Sequence, residues 1–215
     1  MEKAAVLETI RREKLVPVIR TNDADDALQV IETLSKCGIK VFEITLTVPR
    51  AVELIAELSA ADSGILLGAG TILDKNQAEK CVAAGAQFIV SPAFDAATVE
   101  FCLEKEIAVM PGCLTPTEVL TAWNAGADCI KIFPCDALGG AKYLKTLKTL
   151  FPHVELMPTG GVSLQTIADF FAAGAFAVGV GADLVDLKAL REGHDELIAE
   201  KARQYLEIVK IARQD

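Results

Sequence analysis

The chain has 215 residues, of which 52% are hydrophobic and only 6% aromatic, and a formal net charge of −9. That size fits one domain over residues 1–215 with an aliphatic core, the composition of a sheet buried under helices. The acidic balance argues against a nucleic-acid-binding stripe, no apolar run reaches the ~18 residues of a membrane span, and two histidines with no His/Cys cluster at ligand spacing argue against a metal site. The six cysteines form no C-x-x-C pair and the charged N-terminus is no secretory leader, so a reduced, cytoplasmic protein is expected.

In chain order, MEKAAVLETIRREK reads as an amphipathic leading helix. A first strand, LVPVIR (15–20), is followed by a helix over DADDALQVIETLSK and a second strand, VFEITLT (41–47). Six further strands follow: LLGAGTI (66–72), FIVSP (88–92), AVMPGC (108–113), CIKIFP (129–134), ELMPTGG (155–161) and AVGVGADL (177–184). Between them lie segments rich in Ala, Leu, Glu and Lys, such as GAKYLKTLKTL. Alternation at this spacing implies parallel strands joined by right-handed crossovers. Eight such units predict an α/β fold closed into a (β/α)8 TIM barrel with a leading N-terminal helix, rather than an open doubly wound sheet. A repeat supports this, because Gly38, Gly85, Gly126 and Gly174 each stand where a helix should end ahead of alternate strands.

Strand residues alternate between the two faces of a sheet. In VFEITLT, Phe42, Ile44 and Leu46 share the face expected to meet the helices, which turns Glu43 inward. In CIKIFP, Ile130 and Ile132 face the helices, and Cys129, Lys131 and Phe133 point inward. Opposite charges from the second and sixth strands therefore enter one small interior, and Arg20 ends the first strand at the face where such barrels build active sites. A buried Lys–Glu pair can be purely structural, but ions are expensive to leave inside a protein unless paired or used. Burial favours the neutral amine that attacks a ketone, and a nearby carboxylate can shuttle protons. Thr159-Gly160-Gly161 ends the seventh strand and the run through Gly181 and Ala182 spans the end of the eighth. Backbone N–H groups at these two strand ends commonly bind phosphate, although either cluster alone could be a tight turn. Thr71 closes GAGT as a hydroxyl donor to an anion or as part of a plain turn. His153 and His194 read as surface residues, and the cysteines as small apolar ones, with Cys113 and Cys135 nearest the strand ends.

The segments VFEITLT, LLGAGT, FIVSP, MPGC, IKIFP and MPTGG, in this order and spacing, resemble the 2-keto-3-deoxy-6-phosphogluconate (KDPG) aldolase family, some members of which also act on 4-hydroxy-2-oxoglutarate (KHG). The resemblance runs from about residue 10 to about residue 190. It implies a class I aldolase that needs no metal or organic cofactor, a homotrimer, and small keto acid substrates: pyruvate and a phosphorylated sugar acid. By resemblance the Schiff-base lysine is Lys131, the proton-transferring glutamate Glu43, and the threonine near the pyruvyl carboxylate Thr71. Pro92 and Phe133 line the site, and Gly160, Gly161 and Gly181 bind phosphate. Two departures stand out. Some members carry arginine where this chain has Thr47, and the anion-binding role passes here to Arg20. Members commonly place serine after the last-strand glycine, where this chain has Ala182.

The expected reaction is retro-aldol cleavage to pyruvate and an aldehyde such as glyceraldehyde 3-phosphate. The rivals are the same chemistry on the galactonate epimer or on 4-hydroxy-2-oxoglutarate, a phosphosugar isomerase or epimerase, and a non-catalytic binding barrel.

Overall fold

The computed structural model describes residues 1–61 and 64–213. Helix α1 (Lys3–Glu13) leads into β1 (Leu15–Ile19), α2 (Ala24–Lys36), β2 (Val41–Thr45), α3 (Ala51–Ala60) and β3 (Leu66–Gly70). Then come α4 (Lys75–Ala83), β4 (Phe88–Val90), α5 (Ala96–Glu104), β5 (Ala108–Met110), β6 (Gly112–Cys113) and α6 (Pro116–Asn124). The chain continues through β7 (Ile130–Ile132), α7 (Ala141–Leu150), β8 (Leu156–Pro158), α8 (Ile167–Ala172), β9 (Val178–Val180), α9 (Leu187–Arg191) and α10 (Asp195–Ala212).

Local chemistry accounts for many of these boundaries. Asp23, Asp74 and Asp95 accept from backbone N–H groups at the starts of α2, α4 and α5, and Thr115 and Glu118 form a reciprocal capping box on α6. The expected helix-ending glycines all adopt the left-handed conformation, with φ of 99° at Gly38, 105° at Gly85, 95° at Gly126 and 91° at Gly174.

The strands are parallel throughout, in a six-stranded sheet ordered β5-β4-β3-β2-β1-β9 and a three-stranded sheet ordered β6-β7-β8. The architecture is thus a mixed α/β fold in which a parallel sheet forms half a barrel. The expected fifth strand is divided at Pro111, which has no N–H to donate. Its first half pairs with β4 and its second with β7. One isolated parallel bridge, Thr159 to Gly179, lies between β8 and β9. The expected sixth, seventh and eighth strands are therefore β7, β8 and β9. Every strand is shorter at its C-terminal end than the alternation suggested, apart from the divided fifth.

Buried side chains segregate by strand face. Phe42, Ile44, Ile130 and Ile132 join a cluster with helical residues from α2, α3, α7 and α10, as the alternation required. The opposite face contributes Val16, Val41, Leu66, Phe88, Val90, Ala108, Met110, Cys129, Met157 and Ala177 to a smaller cluster, joined by Val6 and Ile10 of α1. The leading helix thus lays its apolar face on the side chains that the strands turn away from the other helices. Ile10 is fully buried, so Ile10→Ala should cost about 2–5 kcal/mol, seen as a lower urea midpoint at unchanged slope.

Candidate active site

Two ionisable side chains meet on this inner face. Lys131, the middle residue of β7, and Glu43, the middle residue of β2, are 5% and 0% exposed. Lys131 Nζ lies 3.4 Å from Glu43 Oε1 and 5.4 Å from the centre of the Phe133 ring. Glu43 Oε2 is buried without a hydrogen-bond partner among the described residues, and so is Thr159 Oγ1. Unpartnered buried acceptors are costly, and in a native fold they call for an explanation.

The backbone makes room for the pair. A Cβ at Gly70 would stand 2.1 Å from Glu43 Oε1, so β3 must present bare backbone where the carboxylate rests. The sequence reading did not single out Gly70, although a glycine inside a strand pattern is the signal that could have found it. Thr45, two residues beyond Glu43 on the same face, is another omission. Its hydroxyl donates to the Ile19 carbonyl at 2.9 Å and lies 2.7 Å from the Thr47 hydroxyl. Thr47 is thereby tied to the end of β1, beside Arg20. Arg20 donates through Nη2 to Thr71 Oγ1 at 3.3 Å. Thr71 itself holds φ at +59°, a conformation that costs a β-branched residue of order 1–3 kcal/mol and persists only where its surroundings enforce it.

A cavity of about 610 Å³ opens beside these groups. Its lining includes Arg20, Phe133, Thr159, Gly160, Gly161, Gly181 and Ala182, which brings together seven of the expected binding residues. Val18, Ser163 and Asp183 also line it and went unnoticed in the sequence. Gly160 and Gly161 both hold positive φ, at 94° and 72°. The N–H groups of Gly161, Ala182 and Asp183 donate to no acceptor among the described residues. Pro92 does not line this cavity; it is half-buried, and its carbonyl packs so tightly on Gly112 that a Cβ there would lie 2.3 Å away. Lys131, Glu43, Thr47 and Thr71 are not among the cavity's lining residues either, Lys131 reaching it through Phe133 and Thr71 through Arg20. Chemically, the arrangement offers an amine and a carboxylate in contact, a guanidinium with hydroxyls nearby, and backbone donors along the cavity wall.

Among the described residues, no three His, Cys, Asp or Glu side chains converge as a ligand set, and no helix is long and apolar enough to cross a membrane. The family described as KDPG and KHG aldolase matches residues 6–200, and the chain belongs to that family. It is 32% identical to a 2-dehydro-3-deoxy-phosphogluconate aldolase of Haemophilus influenzae, over 95% of this chain and 97% of that protein. It is also 32% identical to a KHG/KDPG aldolase of Escherichia coli K12, covering 92% of each. Among solved structures it superposes with a TM-score of 0.84 and 30% identity on a KDPG aldolase from Legionella pneumophila, covering 94% of this chain and 97% of that one. That structure holds pyruvate captured at low pH as a covalent carbinolamine intermediate.

The cysteines stand apart from this chemistry. All six are free, and burial pushes the Cys113 and Cys135 thiols up to about 12, so neither supplies a thiolate at neutral pH. The folded protein keeps these thiol protons at a pH where an unfolded chain, titrating near the ordinary value of 9.0, gives them up. Their contribution to stability is therefore complete below about pH 9 and lost as pH rises toward 12. Urea unfolding at pH 10 should show a lower midpoint than at pH 7, and iodoacetamide on folded protein at pH 8 should label the half-buried Cys37 well before Cys113 or Cys135.

Proposed function

We propose that the chain is a class I aldolase that cleaves 2-keto-3-deoxy-6-phosphogluconate to pyruvate and glyceraldehyde 3-phosphate through an imine on Lys131. The observation that carries this reading is the buried Lys131–Glu43 contact at 3.4 Å, with the second Glu43 oxygen without a hydrogen-bond partner among the described residues. In this mechanism Lys131 Nζ passes a proton to Glu43 and adds to the C2 ketone; Glu43 returns that proton to the carbinolamine hydroxyl, which leaves as water and gives a protonated imine. Glu43 takes the proton of the C4 hydroxyl. The C3–C4 bond then breaks, its electrons pass into the imine, and the aldehyde departs. The remaining enamine takes a proton at C3 from Glu43, and hydrolysis returns pyruvate and the free lysine. The imine is the electron sink, so the mechanism calls on no metal or organic cofactor.

Arg20 and Thr71 hold the pyruvyl carboxylate in this reading, with Thr47 in support, and Pro92 and Phe133 flank the acid. The turn at Thr159, Gly160 and Gly161 and the loop at Gly181 and Ala182 receive the phosphate. The fold that goes with it is one closed (β/α)8 barrel domain, supported by the Thr159–Gly179 bridge and by the mutual pairing of all other neighbouring strands once β5 and β6 count as one. A cytoplasmic homotrimer completes the proposal; six free thiols suit the compartment, and exposed Leu73, Leu120 and Leu138 are available to an interface. The relative acting on KHG as well as KDPG makes cleavage of 4-hydroxy-2-oxoglutarate to pyruvate and glyoxylate a second activity to measure.

Pyruvate followed by borohydride should leave a covalent adduct on the peptide containing Lys131, read by mass spectrometry, and Lys131→Ala should abolish it. Glu43→Gln should still form the adduct while kcat falls by roughly 10²–10⁴. Folded wild-type protein that forms no adduct would sink the imine and leave the isomerase or binding-barrel readings. Cleavage rates on KDPG, its galactonate epimer and 4-hydroxy-2-oxoglutarate rank the substrates.

A further inference from the structure

The loop after β9 has an electrostatic problem. Asp183 lines the same cavity as Gly160, Gly161 and Gly181, so its carboxylate, were it turned toward a phosphate held by those glycines, would repel it. Ala182 offers no hydroxyl, which leaves the backbone N–H groups of the loop as its donors. Their placement then decides whether the anion is held or repelled.

Two side chains of α10 settle where this loop sits. Tyr205, fully buried, donates its phenol O–H to Asp183 Oδ2 at 2.5 Å. One turn earlier, Lys201 Nζ donates to the Asp183 carbonyl at 2.7 Å. The loop closes on itself as well, with the N–H groups of Leu184 and Val185 both donating to the Gly181 carbonyl at 3.0 Å. The N–H groups of Ala182 and Asp183 stay uncommitted, as in the open first turn of a helix. Burial and the Asp183 carboxylate hold the Tyr205 phenol well above its ordinary pKa, so it remains a donor across the neutral range. Both anchors lie beyond residue 200, where the family match ends.

We propose that Tyr205 and Lys201 are positioning residues for the phosphate end of the site: they draw the Asp183 carboxylate toward the core and leave the loop amides facing the cavity. The inference rests on the aldolase reading and adds to it a determinant of preference for phosphorylated acids, built from the C-terminal helix.

The test compares KDPG with the same acid lacking phosphate. Tyr205→Phe, which frees the carboxylate and keeps the ring, should raise KM for KDPG by about tenfold. Its kcat, and its KM for the unphosphorylated acid, should change by less than about twofold on the same reasoning. Adding Asp183→Asn to Tyr205→Phe removes the freed charge and should return KM for KDPG most of the way to wild type. A merely structural role would lower activity on both acids alike and would not be rescued, and either result overturns the inference. A wild type indifferent to the phosphate overturns it too. If Tyr205→Phe does not fold, Lys201→Met makes the same comparison from the partly exposed anchor. Pyruvate trapping of each protein runs in parallel. An intact adduct with unaltered KM values removes this inference alone, whereas no adduct on wild type removes the imine reading beneath it.

Discussion

An ammonium and a carboxylate lie in contact where water scarcely reaches. The two charges attract strongly in such surroundings, but taking both out of water offsets much of that gain, and removing one partner typically costs about 3–5 kcal/mol. The surrounding structure is arranged around this tension. Glu43 and Lys131 sit mid-strand on β2 and β7, where regular backbone fixes their direction. Gly70 withholds a side chain so that the carboxylate has somewhere to rest. Thr45 stiffens the strand end that leads from Glu43 toward Arg20. Glu43 Oε2, without a hydrogen-bond partner among the described residues, keeps an acceptor in reserve beside the amine.

The two ends of the proposed substrate meet different physics. The proposal gives the carboxylate end to side chains, Arg20 and Thr71, which are joined to each other and strained at Thr71. It gives the phosphate end to backbone, through turns that need positive φ at Gly160 and Gly161. Side-chain sites change with a single substitution at the site itself. Backbone sites are governed by whatever holds the loop, and here that includes residues more than 15 positions downstream on α10.

How much of this could be read from the sequence follows from what alternation encodes. Glu43 and Lys131 were legible because isoleucine or phenylalanine on either side fixes the outward face and forces the charge inward. The strand centres were legible for the same reason. The strand ends were not, because alternation runs on through Thr47, Thr71 and Phe133 after the ladder has stopped. Those overrun residues are largely the candidate binding residues, since the chain leaves the sheet at the point where it must reach a ligand. Pro111 divided the fifth strand through a missing donor, a local effect that a count of apolar runs passes over. The Asp183–Tyr205 contact spans 22 residues with no periodic signature, so only the folded chain brings it into view.

The leading helix gives the molecule a floor. Val6 and Ile10 pack into the apolar cluster that the strands turn away from the other helices, while the cavity is lined mostly by residues that follow β1, β7, β8 and β9. Packing and ligand chemistry thus fall to different residues. That division separates inheritance from innovation. Residues of the floor answer to packing alone, whereas those that line the cavity can change without disturbing the foundation on which the lysine stands.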